Sequence, residues 1–440
     1  MKADVFKLIK RGFLGIILAI LILPAIQTRF RLFKMGSIGG YAERASYPDL
    51  TLPTLLDNSY QPALEKYAED RIGFRELLIR VRNQIAFSVF GICKADDVLI
   101  GKNNILLDEI AIRAYLGQDF KGETIIRKNV YKLKAVQNML AKRGISLVFA
   151  IAPSKASFYP EYHPDYFRNQ PHTQSNYTTY VQQMQQQGVN LIDLAQVFQQ
   201  WKDTVSYPLF TRGGIHWSGY GITLAADTLF KYIEHRGQFD LPDFTVTGRT
   251  VTDEARDSDD DIFRSLNLLQ KPEEFKLVYP TIKFEPLKPN QQKPNLLIVG
   301  DSFSWGLIGF YPYISNLFSN KTQFWYYNNQ VQVGARDDMP PSQEVHLLDR
   351  KAEMLTQKVI LLLYTQHNLG SFDNGFSATA YNLFFPTTAA DQAHIRAIEQ
   401  KLKQMPTVQE KLWQQANATN GNYDLMLHQM AVEEYEAQRP

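Results

Sequence analysis

The chain has 440 residues, of which 45% are hydrophobic and 21% charged, enough apolar material for one large domain or two ordinary ones. Its formal net charge is only +2, and no basic stripe or stacking-aromatic module accompanies it, which excludes a nucleic-acid partner. A single cysteine, Cys93, excludes an intramolecular disulfide framework, and no HExxH, CxxC or paired-histidine pattern points to a metal, so no cofactor is expected.

Lys2, Lys7, Lys10 and Arg11 precede the apolar segment 12–26, a basic region followed by a hydrophobic one. The segment is short for a full membrane span, and Arg29, Arg31 and Lys34 follow it. No small-x-small cleavage pattern is present, so residues 1–35 are expected to form an uncleaved signal anchor in the inner membrane, with the rest of the chain in the periplasm. Residues 36–95 read as a helical region, because Leu55, Leu56, Leu64, Tyr67, Ile72, Leu77, Leu78 and Ile79 are interleaved with charged residues.

From Val98 the pattern alternates. Helices are predicted over 128–143, 176–187 and 218–235, and buried strands over 145–151, 189–192, 296–299, 322–327 and 358–364, with a polar insertion at about 236–293. Alternating strands and helices give a three-layer α/β domain with a mostly parallel sheet, assigned to residues 96–390. Residues 391–440 are polar and helix-like and form a C-terminal extension.

The run Leu296-Leu297-Ile298-Val299 ends in Gly300-Asp301-Ser302-Phe303, where a glycine permits the sharp turn that exposes a hydroxyl at the C-terminal edge of a strand. The bland alternative is that Asp301 and Ser302 simply cap the next helix. A serine nucleophile needs a base. Of eight histidines, His216 lies in the least ordinary context, Gly213-Gly214-Ile215-His216-Trp217-Ser218-Gly219, where paired glycines imply close backbone approach. Among the acidic residues 253–261, Asp257, Asp259 and Asp261 alternate like the start of an EF-hand. Ile262 stands where that loop needs glycine and Leu268 where it needs glutamate, so a calcium loop is excluded.

In this order the two blocks resemble the SGNH-hydrolase-like alginate O-acetyltransferase family of the AlgJ/AlgX type, in which Asp-x-His-Trp precedes Gly-Asp-Ser-Phe, an order permuted relative to ordinary SGNH esterases. The matched positions are His216-Trp217 and Gly300 to Phe303, supported by Ala152-Pro153-Ser154-Lys155 with Tyr159-Pro160, by Val98 to Lys102, and by Asp261 followed by Leu266-Asn267-Leu268. The likeness spans roughly residues 60–370. It implies Ser302 as nucleophile and His216 as general base. The family's orienting aspartate falls on Gly214, which leaves three outcomes: a dyad oriented by a backbone carbonyl, a carboxylate from elsewhere, for which Asp261 at the matched end of the acidic run is the candidate and Asp193 the lesser one, or a decayed site.

Lys155, Trp217, Tyr327 and Asn328 are the candidate substrate-binding residues; Lys155, Tyr327 and Asn328 follow strand ends, and the side chains of Tyr327 and Asn328 suit sugar stacking and hydrogen bonding. The resemblance implies an extracytoplasmic O-acetyltransferase acting on hydroxyls of a cell-surface or exopolysaccharide through an acetyl-serine. A membrane-bound O-acyltransferase would be the partner that supplies the acetyl group. The alternatives are a carbohydrate acetylesterase, or a non-catalytic, membrane-anchored polysaccharide-binding or assembly factor with a decayed site.

Overall fold

The computed structural model describes residues 2–40, 44–334, 343–419 and 421–438. The outermost residues of the predicted anchor and of the C-terminal extension, residue 1 and residues 439–440, lie outside that set. Helix α1 (Lys2–Phe30) is longer than the apolar run suggested, because the basic residues on either side join the same helix. Its stretch Val5–Phe30 holds an 18-residue window with a mean hydropathy of 2.1 and is long and apolar enough to cross a membrane. Three helices follow, α2 (Leu52–Leu56), α3 (Tyr60–Glu69) and α4 (Arg75–Phe90). A small antiparallel pair, β1 (Val98–Ile100) and β2 (Leu106–Asp108), then opens the main domain.

The domain is a doubly covered sheet. Its strands are β3 (Ser146–Ala152), β4 (Leu191–Asp193), β7 (Leu296–Gly300), β8 (Gln323–Tyr326), β9 (Gln330–Val333) and β10 (Val359–Thr365), in the spatial order β4-β3-β10-β7-β8-β9. All neighbouring pairs are parallel except β8 with β9. Along β10, Val359, Leu361 and Leu363 face one layer while Ile360, Leu362 and Tyr364 face the other, the two-residue period of a strand buried on both sides. One layer holds α5 (Glu109–Tyr115) at its margin and is built from α6 (Glu123–Ala141), α7 (Asn176–Gln186) and the helix Phe376–Phe384. The other is built around α8 (Leu194–Trp201) and α9 (Gly219–Gly237).

The polar insertion is more structured than its composition indicated. It forms a twisted antiparallel ribbon, β5 (Phe244–Thr252) with β6 (Leu277–Phe284), and between those strands the short helix α10 (Asp261–Leu266). Charge density concealed the ribbon, because β5 is exposed along most of its length and reads as loop. The C-terminal extension folds back as three helices, Ala389–Lys403, Pro406–Thr419 and Tyr423–Gln438, around its own small apolar cluster of Ile395, Leu402, Leu412, Leu427 and Ala431. It meets α6 through Glu436, whose carboxylate lies 3.0 Å from Lys132 Nζ and 3.2 Å from Lys128 Nζ.

Candidate active site

The C-terminal ends of parallel strands are where side chains of different segments converge, and β7 and β10 end side by side. A Cβ on Gly300 would lie 2.3 Å from Leu363 O and 2.7 Å from Ser304 Oγ, so glycine is what lets the two strand ends close up. Asp301, fully buried, accepts four hydrogen bonds: from Phe303 N (3.1 Å) at Oδ1, and from Thr365 N (2.7 Å), Thr365 Oγ1 (2.8 Å) and Asn368 Nδ2 (2.7 Å) at Oδ2. A buried carboxylate is tolerated only when its oxygens are satisfied in this way. The network pins the turn Ser302–Ser304 and fixes the direction of the Ser302 hydroxyl. Ser302 N–H stands at the start of that turn, where it has no intrahelical acceptor.

His216 comes from the loop before α9. Phe210 and Trp217 form an isolated antiparallel bridge that closes this loop, and Ser218 caps α9 by accepting from Gly221 N at 3.1 Å while donating to Pro208 O at 2.7 Å. Trp217 is wholly buried, 5.5 Å from the Phe303 ring and 6.1 Å from Phe198 between centroids. Held on that anchor, the His216 imidazole places Nε2 3.0 Å from Ser302 Oγ and Nδ1 2.7 Å from Asp261 Oδ2. The ring is 16% and the Asp261 side chain 27% exposed, so the array is reachable from solvent yet largely desolvated.

The absence of a carboxylate at position 214 has a steric reason. A Cβ on Gly214 would meet Asp259 O at 2.7 Å, Thr211 Oγ1 at 2.7 Å and Ser258 O at 2.8 Å, and one on Gly213 would meet the Phe263 ring at 1.9 Å. The segment that carries Asp261 therefore occupies the space that side chains at 213 and 214 would need. Gly213 O accepts from Ile262 N and Phe263 N at 3.1 and 3.0 Å, and Thr211 Oγ1 donates to Asp259 O at 2.6 Å, which locks segment to loop. Asp261 Oδ1 in turn accepts from Ile215 N at 3.0 Å and Ile262 N at 2.7 Å, leaving Oδ2 for the imidazole.

Asp259, two residues earlier, is fully buried and accepts from Tyr279 Oη at 2.8 Å. Burial pushes its carboxyl up to about 7, against the opposing pull of the Tyr279 hydroxyl and Gly219 N–H. A carboxyl with a raised folded pKa keeps a proton that the unfolded chain has lost, so its contribution falls as pH rises from the ordinary carboxylate range through about 7. Asp259→Asn is expected to remove that slope. Measured by thermal unfolding at pH 5 and pH 8, the variant should lose about 2–4 kcal/mol less stability between the two than the parent chain does.

The four residues assigned to substrate binding separate. Tyr327, in left-handed backbone at φ 50°, is the one beside the serine: burial and nearby Asp301 push its hydroxyl up to about 12, and Asn368 and Ser302 hydrogen-bond toward it. Asn328 instead donates to Asn374 O at 3.0 Å. Trp217 faces the core, as described, and offers no surface to a sugar. Lys155, only 3% exposed, is also no substrate-binding cation: its Nζ donates to Arg212 O at 2.9 Å and Gly214 O at 2.8 Å, beneath the His216 loop. Burial pulls its ammonium down to about 7, with Glu274 and Asp261 opposing. Lys155→Met should leave Gly214 O unpaired, at a cost of about 1–3 kcal/mol, and strip Arg212 O of one of its two donors, the other being Leu106 N at 3.0 Å. The expected result is a lower Tm together with a lower kcat, read in parallel melting and turnover assays.

Sequence reasoning missed Asn368 and the wall it belongs to. Gln366, His367 and Asn368 follow β10, with His367 Nδ1 3.3 Å from Ser154 Oγ. The signal was available, since polar residues directly after a fully buried strand sit at the edge where sites form. His367 also lines a cavity of about 230 Å³, together with Tyr115, Ser157, His172, Thr178, Gln199 and Gln366, a polar and aromatic surface.

The chain is similar to known proteins. The chain is 26% identical over 293 residues to the probable alginate O-acetylase AlgJ of Pseudomonas aeruginosa, covering 62% of this chain and 70% of that protein. It is 25% identical over 189 residues to the protein of the same name from Azotobacter vinelandii, covering 42% and 45%. Among solved structures, the O-acetyltransferase domain of Pseudomonas putida AlgJ is 20% identical with a TM-score of 0.42, over 65% of this chain and 99% of that one. Pseudomonas aeruginosa AlgX is 14% identical with a TM-score of 0.43, over 65% and 66%. Residues 113–325, which contain His216, Asp261 and Ser302, match the family described as SGNH hydrolase-like domain, acetyltransferase AlgX.

Proposed function

We propose that the chain is an O-acetyltransferase that moves acetyl groups onto hydroxyls of an extracytoplasmic polysaccharide through an acetyl-Ser302 intermediate. The observation that carries the reading is the line Ser302 Oγ, His216 Nε2, His216 Nδ1, Asp261 Oδ2, with gaps of 3.0 and 2.7 Å. A dyad held by a backbone carbonyl is not needed when a carboxylate already faces Nδ1, and the decayed-site alternative loses the vacancy at 214 that was its support.

The chemistry follows from these contacts. Ser302 Oγ transfers its proton to His216 Nε2 and bonds to the carbonyl carbon of an acetyl ester donor. Asp261 steadies the imidazolium and keeps Nδ1 protonated. The Ser302 N–H, first in its turn and without an intrahelical acceptor, is the backbone donor assigned to the developing oxyanion. Collapse breaks the bond to the donor oxygen, which leaves with the proton from Nε2. A sugar hydroxyl then gives its proton to Nε2 and attacks the acetyl carbon, and Ser302 Oγ recovers the proton as the new ester forms. The cavity that His367 helps to line suits the sugar, because hydroxyl-rich chains are recognised by hydrogen-bonding groups beside aromatic faces. Helix α1 supports a membrane-anchored protein with its catalytic domain in the periplasm, close to a membrane-bound O-acyltransferase that could hand over the acetyl group.

The test combines an activated acetyl ester with polysaccharide-derived oligosaccharides. Mass spectrometry should find a 42 Da adduct (from acetyl replacing hydrogen, about 42) on the peptide holding Ser302, and acetylated oligosaccharide that accumulates at its expense. Release of acetate alone, unaffected by any acceptor, would make the chain an esterase. No adduct and no turnover would return it to the binding class.

A further inference from the structure

Helix α4 has two contrasting faces. Asn83, Ala86 and Phe87 are buried: Asn83 Nδ2 donates to Leu266 O at 2.8 Å, and Phe87 packs with Ile262, Phe263 and Leu266 of α10. On the opposite face Leu78, Val81, Ile85 and Val89, continued by Ile92, are all exposed at spacings of three or four residues, so they form one stripe. Leu50, Leu52, Leu55 and Leu56, in and before α2, add four more leucines that are 51–75% exposed. Folded domains that live in water seldom present an aliphatic stripe as long as that of α4.

The position of the stripe identifies what covers it. Gly73, just before α4, touches the end of α1: its N–H donates to Thr28 Oγ1 at 2.7 Å, and a Cβ there would lie 2.3 Å from Pro24 O. Arg80 donates to Ser37 O at 2.6 Å, so the chain leaving α1 runs back along α4. The apolar face thus begins where the membrane-spanning stretch ends. Phe30, Leu32 and Phe33, at and just beyond that end, are 59–64% exposed, and Arg29, Arg31 and Lys34 stand among them, a mixture that suits the boundary between acyl chains and head groups.

We infer that the exposed face of α4 lies in the interfacial zone of the bilayer that α1 crosses, forming a foot that holds the catalytic domain against the membrane surface. The inference rests on the reading of α1 as a membrane span. A bilayer is favoured over a second copy or a protein partner because the same lipid that surrounds α1 is already present where the stripe starts.

The test uses the full chain with Cys93→Ala, so that single cysteines at Val81, Ile85 or Val89 can carry an environment-sensitive fluorophore. Each protein is placed at one copy per lipid nanodisc, with ordinary or acyl-brominated phosphatidylglycerol and phosphatidylethanolamine. Ile16→Cys reports on α1, and Tyr166→Cys and Leu287→Cys, exposed on the catalytic domain, report on water. Labels at 81, 85 and 89 should be quenched at least about twofold by brominated lipid and shielded from aqueous iodide, as the label at 16 is, while those at 166 and 287 show the reverse. Stripe labels that behave like 166 and 287, with 16 still quenched, overturn the foot alone. Shielding that appears only with two copies per disc assigns the face to self-association and also overturns it. An unquenched label at 16 overturns the membrane reading of α1, and the foot with it.

Discussion

Asp261→Asn is expected to lower kcat for acetyl transfer by about 10⁴-fold with little change in KM. The amide keeps the shape of the carboxylate but presents either a neutral oxygen or an N–H to His216 Nδ1, now 2.7 Å from Asp261 Oδ2. The imidazolium formed during attack loses its counter-charge, and the tautomer with Nε2 free to accept from Ser302 is no longer enforced. Restoring a carboxylate at the other position does not help. Gly214→Asp in the Asp261→Asn background should remain inactive and melt earlier, because its Cβ would meet three oxygen atoms at 2.7–2.8 Å. Recovery of activity in that double variant would show that the loop at 211–216 can reorganise, and that Asp261 is replaceable.

Ser302→Ala should cost more, about 10⁶-fold in kcat, and should abolish labelling by a serine-directed sulfonyl fluoride. The protein should keep its Tm, since Ser302 is only half-buried and the turn is held by Asp301 through Phe303, Thr365 and Asn368. His216→Ala should lose nearly as much as Ser302→Ala, and the double variant no more than either, because the two side chains act as one unit. If His216→Ala and Ser302→Ala instead multiplied their losses, the 3.0 Å contact between them would have no part in the turnover being measured.

The parallel sheet was legible because β3, β7 and β10 are buried on both faces, and such strands read as continuous aliphatic runs bounded by turns. The ribbon β5–β6 was not legible, since β5 is exposed along most of its length and only the first half of β6, Leu277 to Pro280, is buried, so neither strand reads as a continuous aliphatic run. At the site, local chemistry singled out Gly300-Asp301-Ser302 and His216-Trp217 as candidates, and it was their order along the chain, matched to the family pattern, that paired them. The contact from Asp261 could not be read in that way: 45 residues separate it from His216 along the chain, and only the docking of α10 brings the carboxylate to the ring. Lys155 misled for a related reason. A lysine after a strand end looks like a ligand-binding cation until the loop that covers it is in place, and here that loop is the one bearing His216.

The contact between α4 and α10 makes the membrane-side helix part of the wall around the carboxylate. Phe87 lies against Phe263 and Leu266, and Asn83 holds the last carbonyl of the helix whose first residue is Asp261. Trimming the chain after residue 95 to make it soluble would therefore strip support from one corner of the triad while leaving the strand that presents Ser302 intact. A nucleophile that still takes up a covalent probe, in a protein that no longer turns over, is the behaviour such a truncation invites, and it would be easy to mistake for an inherently inactive enzyme.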